Sequence, residues 1–179
     1  MSRGVAFTGI PSEEELQNSP GYPKSEDFEK GPIAVIECVQ EIPCDPCETA
    51  CRHGAIVVGE PITNLPYFEA DKCTGCGLCV ASCPGQAIFL VHLHHSDEES
   101  LVSFPFEYLP LPQVDSLVNA VNRAGKVMCR GKVVKVQTPR SFDCTAVVTI
   151  AIPKAFAHQV RGIKHARPAE GGISSLRKI

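Results

Sequence analysis

Four closely spaced cysteines constrain this chain more than any other feature of its sequence. Two residues separate each of the first three, three residues separate the last two, and a proline follows; the residues are Cys73, Cys76, Cys79, Cys83 and Pro84. This spacing is typical of [4Fe–4S] ligation, in which three thiolates wrap one cluster and the fourth, held back by an extra residue, ligates another cluster. The motif therefore predicts a partner motif elsewhere in the chain.

A less regular group of cysteines precedes this motif and forms an internal repeat with it. Its members are Cys38, Cys44, Cys47 and Cys51. The apolar run 33–36 leads into the first group, and the stretches 54–58 and 86–90 follow the two groups at equivalent places. Each unit therefore predicts a strand, a ligand loop, a short helix and a second strand.

The two units resemble the bacterial dicluster ferredoxins over about residues 33–93. The resemblance implies an α+β, ferredoxin-like domain over residues 32–95, in which the last cysteine of each motif crosses to the other cluster. The first [4Fe–4S] cluster would then take Cys38, Cys44, Cys47 and Cys83, and the second would take Cys51, Cys73, Cys76 and Cys79.

The first motif departs from the family pattern. Glu41 stands where its first cysteine is expected, and Arg52 replaces the proline after its last. In one account, only three thiolates hold a three-iron cluster, or Glu41 completes a cubane as an oxygen ligand. In the other, which we favour, Cys38 supplies the fourth thiolate, because soft thiolate suits iron–sulfur and Pro43 lets the longer loop turn outward. We also hypothesise that the Arg52 cation raises the potential of the nearby cluster.

Composition places the cysteines in a reducing compartment. There are ten in 179 residues, yet the first residues contain neither a basic region nor an apolar run of the kind that directs secretion. We therefore expect a cytoplasmic protein with cysteines as metal ligands. Structural zinc is the alternative, but it has no use for ligands that cross between sites. The net charge of −3 and the absence of a long apolar run argue against nucleic-acid and membrane partners.

The segments outside the repeat predict three further parts. Residues 1–31 form an N-terminal arm, either a solvated tail or a segment that orders against a partner subunit, with a capping box at Ser12 and Glu15. Residues 96–112 are predicted as a linker. Residues 113–179 are predicted as a C-terminal α/β appendage: a helix over 113–123, paired strands over 126–136 and 143–152, and a last helix from Pro153 to about Arg161.

Four residues outside the two motifs are weaker candidates for metal or redox chemistry. Cys129 and Cys144 lie on the two predicted strands of the appendage and could form a cross-strand redox pair, but packing in the core is favoured. His92 and His94 alternate and could ligate metal, but closing a strand is favoured.

The motifs favour electron transfer over catalysis. The chain lacks a nucleophile triad, a phosphate loop and a nucleotide fingerprint, so no catalytic residue is predicted. Residues 36–48, 143–154 and 161–163 resemble small iron–sulfur subunits of FAD-dependent amine and amino-acid dehydrogenases in anaerobes, such as those acting on proline, hydroxyproline or sarcosine-like substrates. That resemblance implies a hetero-oligomer with a flavoprotein dehydrogenase, which could also include a [2Fe–2S] subunit. A free-standing soluble ferredoxin and a structural or sensing iron–sulfur module are the alternatives.

Overall fold

A seven-stranded antiparallel sheet runs through the protein. The computed structural model describes residues 4–165. The sheet has the order β1-β4-β5-β8-β7-β6-β9, and β2 pairs with β3 separately. The strands are β1 (Ile33–Ile36), β2 (Ile56–Val57), β3 (Tyr67–Phe68), β4 (Ile88–His92), β5 (Glu99–Phe106), β6 (Leu117–Asn122), β7 (Val127–Gln137), β8 (Ala146–Pro153) and β9 (Val160–Ile163).

Short α-helices and 3-10 turns precede the first strand and lie between later strands. The helices are α1 (Val5–Thr8), α2 (Glu13–Gln17), α3 (Pro46–Ala50) and α4 (Leu78–Ser82). The 3-10 turns are Ser25–Lys30, Ala70–Lys72, Arg140–Phe142 and Lys154–Phe156. Helices this short are marginal in isolation, so packing against the sheet and the loops must supply most of their stability.

The predicted repeat and the α+β fold class are confirmed. The first unit is β1, α3 and β2, and the second is β3, α4 and β4. The outer strands of the two units pair with each other, as β1 with β4, and the inner strands pair as β2 with β3. Helix α3 of the first unit contacts helix α4 of the second. Because each element of one unit pairs with the equivalent element of the other, the two units are related by a pseudo-twofold axis.

The segment predicted as a linker contains a strand in the middle of the sheet. β5 pairs with β4 through Leu101, Val102 and Ser103, and with β8 along its whole length. Pro105 lies beyond the last residue of β5 that pairs with β4, where β5 is an edge and a proline is tolerated. The linker prediction is therefore wrong for residues 99–106, whereas the division of the chain into domains stays a prediction.

Two helices predicted in the C-terminal part are wrong. The segment 113–123 contains the strand β6, which pairs with β7 on one side and β9 on the other. Val114 and Leu117, which would have lain on the buried face of the helix, are exposed. The segment after Pro153 forms one 3-10 turn and then β9. The predicted pairing of 126–136 with 143–152 is confirmed by β7 and β8.

The N-terminal arm packs on its own chain. Helix α2 begins with the predicted capping box of Ser12 and Glu15. Leu16 and Phe28 are only 2% and 3% exposed. The prediction of a solvated tail is therefore wrong for residues 4–31. The arm is also tied to the repeat by hydrogen bonds, because the Ser19 hydroxyl donates to the carbonyl of Cys38 at 3.3 Å.

Candidate metal centres

One cavity brings together the four thiols predicted for the second cluster. Cys51, Cys73, Cys76 and Cys79 line this cavity. Cys79 is buried, Cys51 and Cys73 are half-buried, and Cys76 is exposed. Apolar side chains complete the wall, among them Ile56, Phe68 and Leu90. Three thiols come from the second unit, and Cys51 comes from the first.

A second cavity brings together the thiols predicted for the first cluster. Cys38, Cys44, Cys47 and Cys83 line this cavity together with Ile36, Asn64 and Ile88. Cys47 is buried, and the other three thiols are half-buried. Glu41, the alternative ligand, is exposed and is not among the residues that line this cavity. Cys38 thus lines the same cavity as the other three predicted thiols of the first site.

One face of the β1–β4 pair forms the floor of both cavities. Ala34 and Leu90 are paired residues that line the second cavity, and Ile36 and Ile88 are paired residues that line the first. Alternate residues of a strand share a face, so one apolar face presents two adjacent sites. Ala34 and Ile36, the β1 residues on this face, are both buried.

Glycines and a proline shape the loops that present the thiols. Gly77 precedes α4 in the left-handed conformation. Gly75 also has a positive φ, and a Cβ there would meet the backbone oxygen of Pro32 at 2.5 Å. Only glycine fits such a position without strain. In the first unit, Pro46 stands at the start of α3, where its fixed φ favours the helix.

The two crossing cysteines accept equivalent backbone hydrogen bonds. The N–H of Ala55 donates to Cys51 Sγ at 3.2 Å, and the N–H of Ala87 donates to Cys83 Sγ at 3.4 Å. In each case, the donor lies four residues after the cysteine. These bonds were not predicted from the sequence, although the shared Ala at this position of both units was a visible signal. Hydrogen bonds to sulfur stabilise the thiolate and contribute to the potential of a bound cluster.

Burial raises the pKa of several of these thiols. The pKa of Cys47 is raised to about 11, first by desolvation and next by the nearby Cys83. The pKa of Cys79 is raised further, by desolvation and then by Cys73 and Cys76. Desolvation also raises the pKa of Cys38 and Cys44. These four thiols are therefore protonated at neutral pH when no metal is bound, and a metal that binds them must displace their protons.

The donor sets fit iron–sulfur clusters. Each cavity offers four sulfur donors and an apolar wall, and soft thiolates are the preferred ligands of such clusters. Within residues 4–165, no group of three or more His, Cys, Asp or Glu side chains is arranged to hold a single metal ion.

The weaker candidates lie away from both cavities. His92 ends β4, as favoured from the sequence, and His94 Nε2 lies 2.9 Å from a carboxylate oxygen of Glu29. The prediction that Cys129 and Cys144 form a cross-strand redox pair is wrong. The β7–β8 register places these two residues at opposite ends of the paired strands. Core packing is also wrong for Cys144, which is exposed; Cys129 is half-buried.

A buried ion network beside the first cavity was not predicted from the sequence. Glu37 pairs with Arg123 and Arg161, which come from the C-terminal strands. The signal was a charged residue at the end of an apolar strand, directly before Cys38. Arg52, which the sequence suggested as a cation near a cluster, is exposed.

Comparison with known proteins agrees with this geometry. Residues 66–89 match the family model described as 4Fe-4S binding domain. This segment is therefore similar to ferredoxin-type iron–sulfur domains. The match covers the second of the two units, including the regular motif.

Relatives match this chain over only part of their own length. The chain is 45% identical over 67 residues to a subunit of the ion-translocating oxidoreductase complex of Methanosarcina acetivorans, covering 37% of this chain and 24% of that protein. It is 35% identical over 57 residues to the ferredoxin-type protein NapF of Escherichia coli, covering 31% and 35%. It is 44% identical over 45 residues to a subunit of the Na(+)-translocating ferredoxin:NAD(+) oxidoreductase complex of Acetobacterium woodii, covering 25% and 13%.

The matched segments thus span about a third or less of each of these relatives. No solved structure matches the chain. Among residues 4–165, none of the helices has the length and apolar character needed to cross a membrane.

Proposed function

We propose that this chain is an electron-transfer protein with two [4Fe–4S] clusters and that it works as a subunit of an oxidoreductase complex. The observation that carries the proposal is the pair of cavities, each surrounded by four thiols from both units. Two of the relatives are named as subunits of oxidoreductase complexes, which supports the proposal that this chain is also a subunit.

Each proposed ligand set combines three cysteines of one unit with one cysteine of the other. Cys38, Cys44, Cys47 and Cys83 would hold the first cluster; Cys51, Cys73, Cys76 and Cys79 would hold the second. Clusters of this kind accept and release single electrons. The protein supplies the eight thiolates, the apolar walls that exclude water and the backbone N–H groups directed at Cys51 and Cys83. We propose no catalytic residue.

We also propose the identity of the partner subunit, on the basis of the sequence resemblance. The resemblance to small iron–sulfur subunits predicts a flavoprotein dehydrogenase of amines or amino acids in a hetero-oligomer, which could include a [2Fe–2S] subunit, in the cytoplasm of an anaerobe. Purification from the native source, with identification of the co-eluting chains and analysis of flavin, tests this prediction. Recovery of the chain only as a free monomer would favour a soluble ferredoxin instead.

Cluster content is tested directly on the full chain. We expect the anaerobically prepared protein to contain two clusters of four irons, with matching acid-labile sulfide and a broad visible absorption that dithionite bleaches. Cys44→Ala should impair the first cluster alone, and Cys76→Ala should impair the second alone. The matched control is Cys144→Ala, since Cys144 is exposed and lines neither cavity.

Two outcomes would contradict the ligand assignment. Iron without sulfide would indicate mononuclear metal and would overturn the cluster proposal. If Glu41→Gln removed iron from the first site while Cys38→Ala did not, then Glu41 rather than Cys38 would be the fourth ligand.

A further inference from the structure

A buried carboxylate directly before Cys38 is held by two arginines from the far end of the chain. The side chain of Glu37 is 4% exposed. Arg161 Nε donates to Glu37 Oε1 at 2.5 Å, and Arg123 donates through Nε and Nη2 to both carboxylate oxygens. Charge-assisted hydrogen bonds and bidentate arginine–carboxylate pairs of this kind are both strong and geometrically specific.

Arg161 is itself fixed in place. Its side chain is 3% exposed, and its Nη1 donates to the carbonyls of Ala157 at 2.9 Å and Val160 at 2.6 Å. The guanidinium carbon lies 5.3 Å from the centre of the Phe89 ring. Arg161 Nη2 is buried and has no hydrogen-bond partner among the described residues. A side chain confined this way has little freedom to follow Glu37 if Glu37 moves.

Arg123 anchors the same carboxylate from a neighbouring strand end. It follows β6 directly, and its Nη2 also donates to the carbonyl of His158 at 3.3 Å. β6 pairs with β9, the strand that contains Arg161. Both arginines therefore lie on neighbouring strands of the sheet or directly after one.

The end of β1 connects this anchor to the first cavity. Ile36, the last residue of β1, lines the cavity, and the next side chain, that of Glu37, binds the arginines. Cys38 lines the cavity again. The backbone is held on both sides of this step, because the N–H of Glu37 donates to the carbonyl of Ala87 at 2.8 Å and the Cys38 carbonyl accepts from Ser19. Fixing the side chain of Glu37 therefore fixes the direction of Cys38.

We infer that Arg123 and Arg161, acting through Glu37, are positioning residues for Cys38 as a ligand of the first cluster; the inference rests on the proposed function. Five residues separate Cys38 from Cys44, whereas two separate Cys44 from Cys47. A thiol so far outside the tight ligand loop cannot be placed by that loop. The buried ion network replaces the missing local constraint, which gives the C-terminal strands a role in cluster binding.

The test compares iron content and electron paramagnetic resonance spectra of full-length variants prepared anaerobically. Arg161→Met, Arg123→Met and Glu37→Gln should each reduce the first site to a three-iron cluster or empty it, so iron falls from about eight atoms per chain to between seven and four. The spectrum of the second cluster should stay unchanged. Arg161→Lys should restore part of the lost iron, because it keeps the cation.

A matched control separates positioning from general loss of stability. Ile150→Val removes one buried methylene from β8, away from the network, and should lower the melting temperature while both clusters remain. The inference is overturned if Glu37→Gln and both arginine variants keep all eight irons with the spectrum of the unmodified protein. It is also overturned if Ile150→Val loses as much iron as Arg161→Met. A single cluster in the unmodified chain would instead refute the proposed function itself, and the inference with it.

Discussion

At the scale of single residues, the regular cysteine motif depends on backbone conformations as much as on sulfur. Gly75 and Gly77 both have positive φ, and they lie between thiols that must point into one cavity. The chain therefore reaches the site through conformations that other residues adopt only with strain. This dependence can be tested without changing any thiol.

We expect Gly75→Ala to lower the free energy of unfolding by about 1–3 kcal/mol, the usual cost of a non-glycine residue held in a strained conformation. The new Cβ would also meet a backbone oxygen at 2.5 Å. Gly85→Ala is the matched control, because a Cβ at Gly85 has no neighbour within 4 Å. Thermal unfolding followed by circular dichroism measures both variants. Equal stability of the two would show that the conformation at Gly75 carries no strain penalty.

At the scale of elements, the N-terminal arm is held in shape by one carboxylate. Glu15 accepts hydrogen bonds from the N–H of Ser12 at 2.7 Å and the N–H of Val5 at 3.0 Å, which joins α2 to α1. These bonds, with that of Ser12 first, hold the pKa of Glu15 below its ordinary value of 4.5. The charged form is therefore the one that stabilises the joint.

The sign of this shift predicts a pH dependence for the arm. A lowered pKa contributes stability above the ordinary glutamate value, and that contribution is lost as pH falls through the lower pKa in the folded protein. We expect hydrogen exchange at Val5 and Ser12 to be faster in Glu15→Gln than in the unmodified chain at neutral pH, and the difference to disappear in acid. Glu14→Gln is the control. A difference that persisted unchanged in acid would rule out the carboxylate charge as its cause.

The elements also show where sequence patterns suffice and where they fail. The grouping of most thiols around the two cavities could be predicted, because cluster ligation fixes short spacings along the chain; the ligand sets themselves stay a prediction. Strand β6 could not, because Val114, Leu117, Val118 and Val121 fit a helical face equally well. The segment forms a strand rather than a helix because β6 pairs with both β7 and β9. Asn122 forms the turn that follows, since its Oδ1 accepts hydrogen bonds from the N–H groups of Ala124 and Lys126.

Contacts distant in sequence set the remaining limit on prediction. Glu37 and Arg161 are 124 residues apart, and no local pattern links them. The same holds for the N-terminal arm, whose polar and Pro-rich composition favours a solvated tail although Leu16 and Phe28 fill gaps in the core. In each case, the fold brings together residues whose individual patterns favour a simpler interpretation.

At the scale of the whole molecule, one hydrophobic core joins the cluster-binding repeat to the C-terminal strands. Ile36 and Val80 of the repeat belong to the same cluster of buried residues as Val148 and Ile150 of β8. β5 connects the two parts within the sheet by pairing with β4 and β8. A boundary between independent domains would instead be crossed by few contacts.

This shared core predicts that the repeat and the C-terminal strands unfold together. Ile150→Ala should lower the free energy of unfolding by about 2–5 kcal/mol, because Ile150 is fully buried and the substitution leaves a cavity. Visible absorption of the clusters and far-ultraviolet circular dichroism should then be lost at the same, lowered temperature. Val134→Ala, at an exposed position of β7, should leave both transitions unchanged within about 0.5 kcal/mol. If the circular dichroism of Ile150→Ala fell well before the cluster absorption, the C-terminal strands would be a separate folding unit. In that case Arg123 and Arg161 would unfold with these strands while Cys38 still ligated the first cluster.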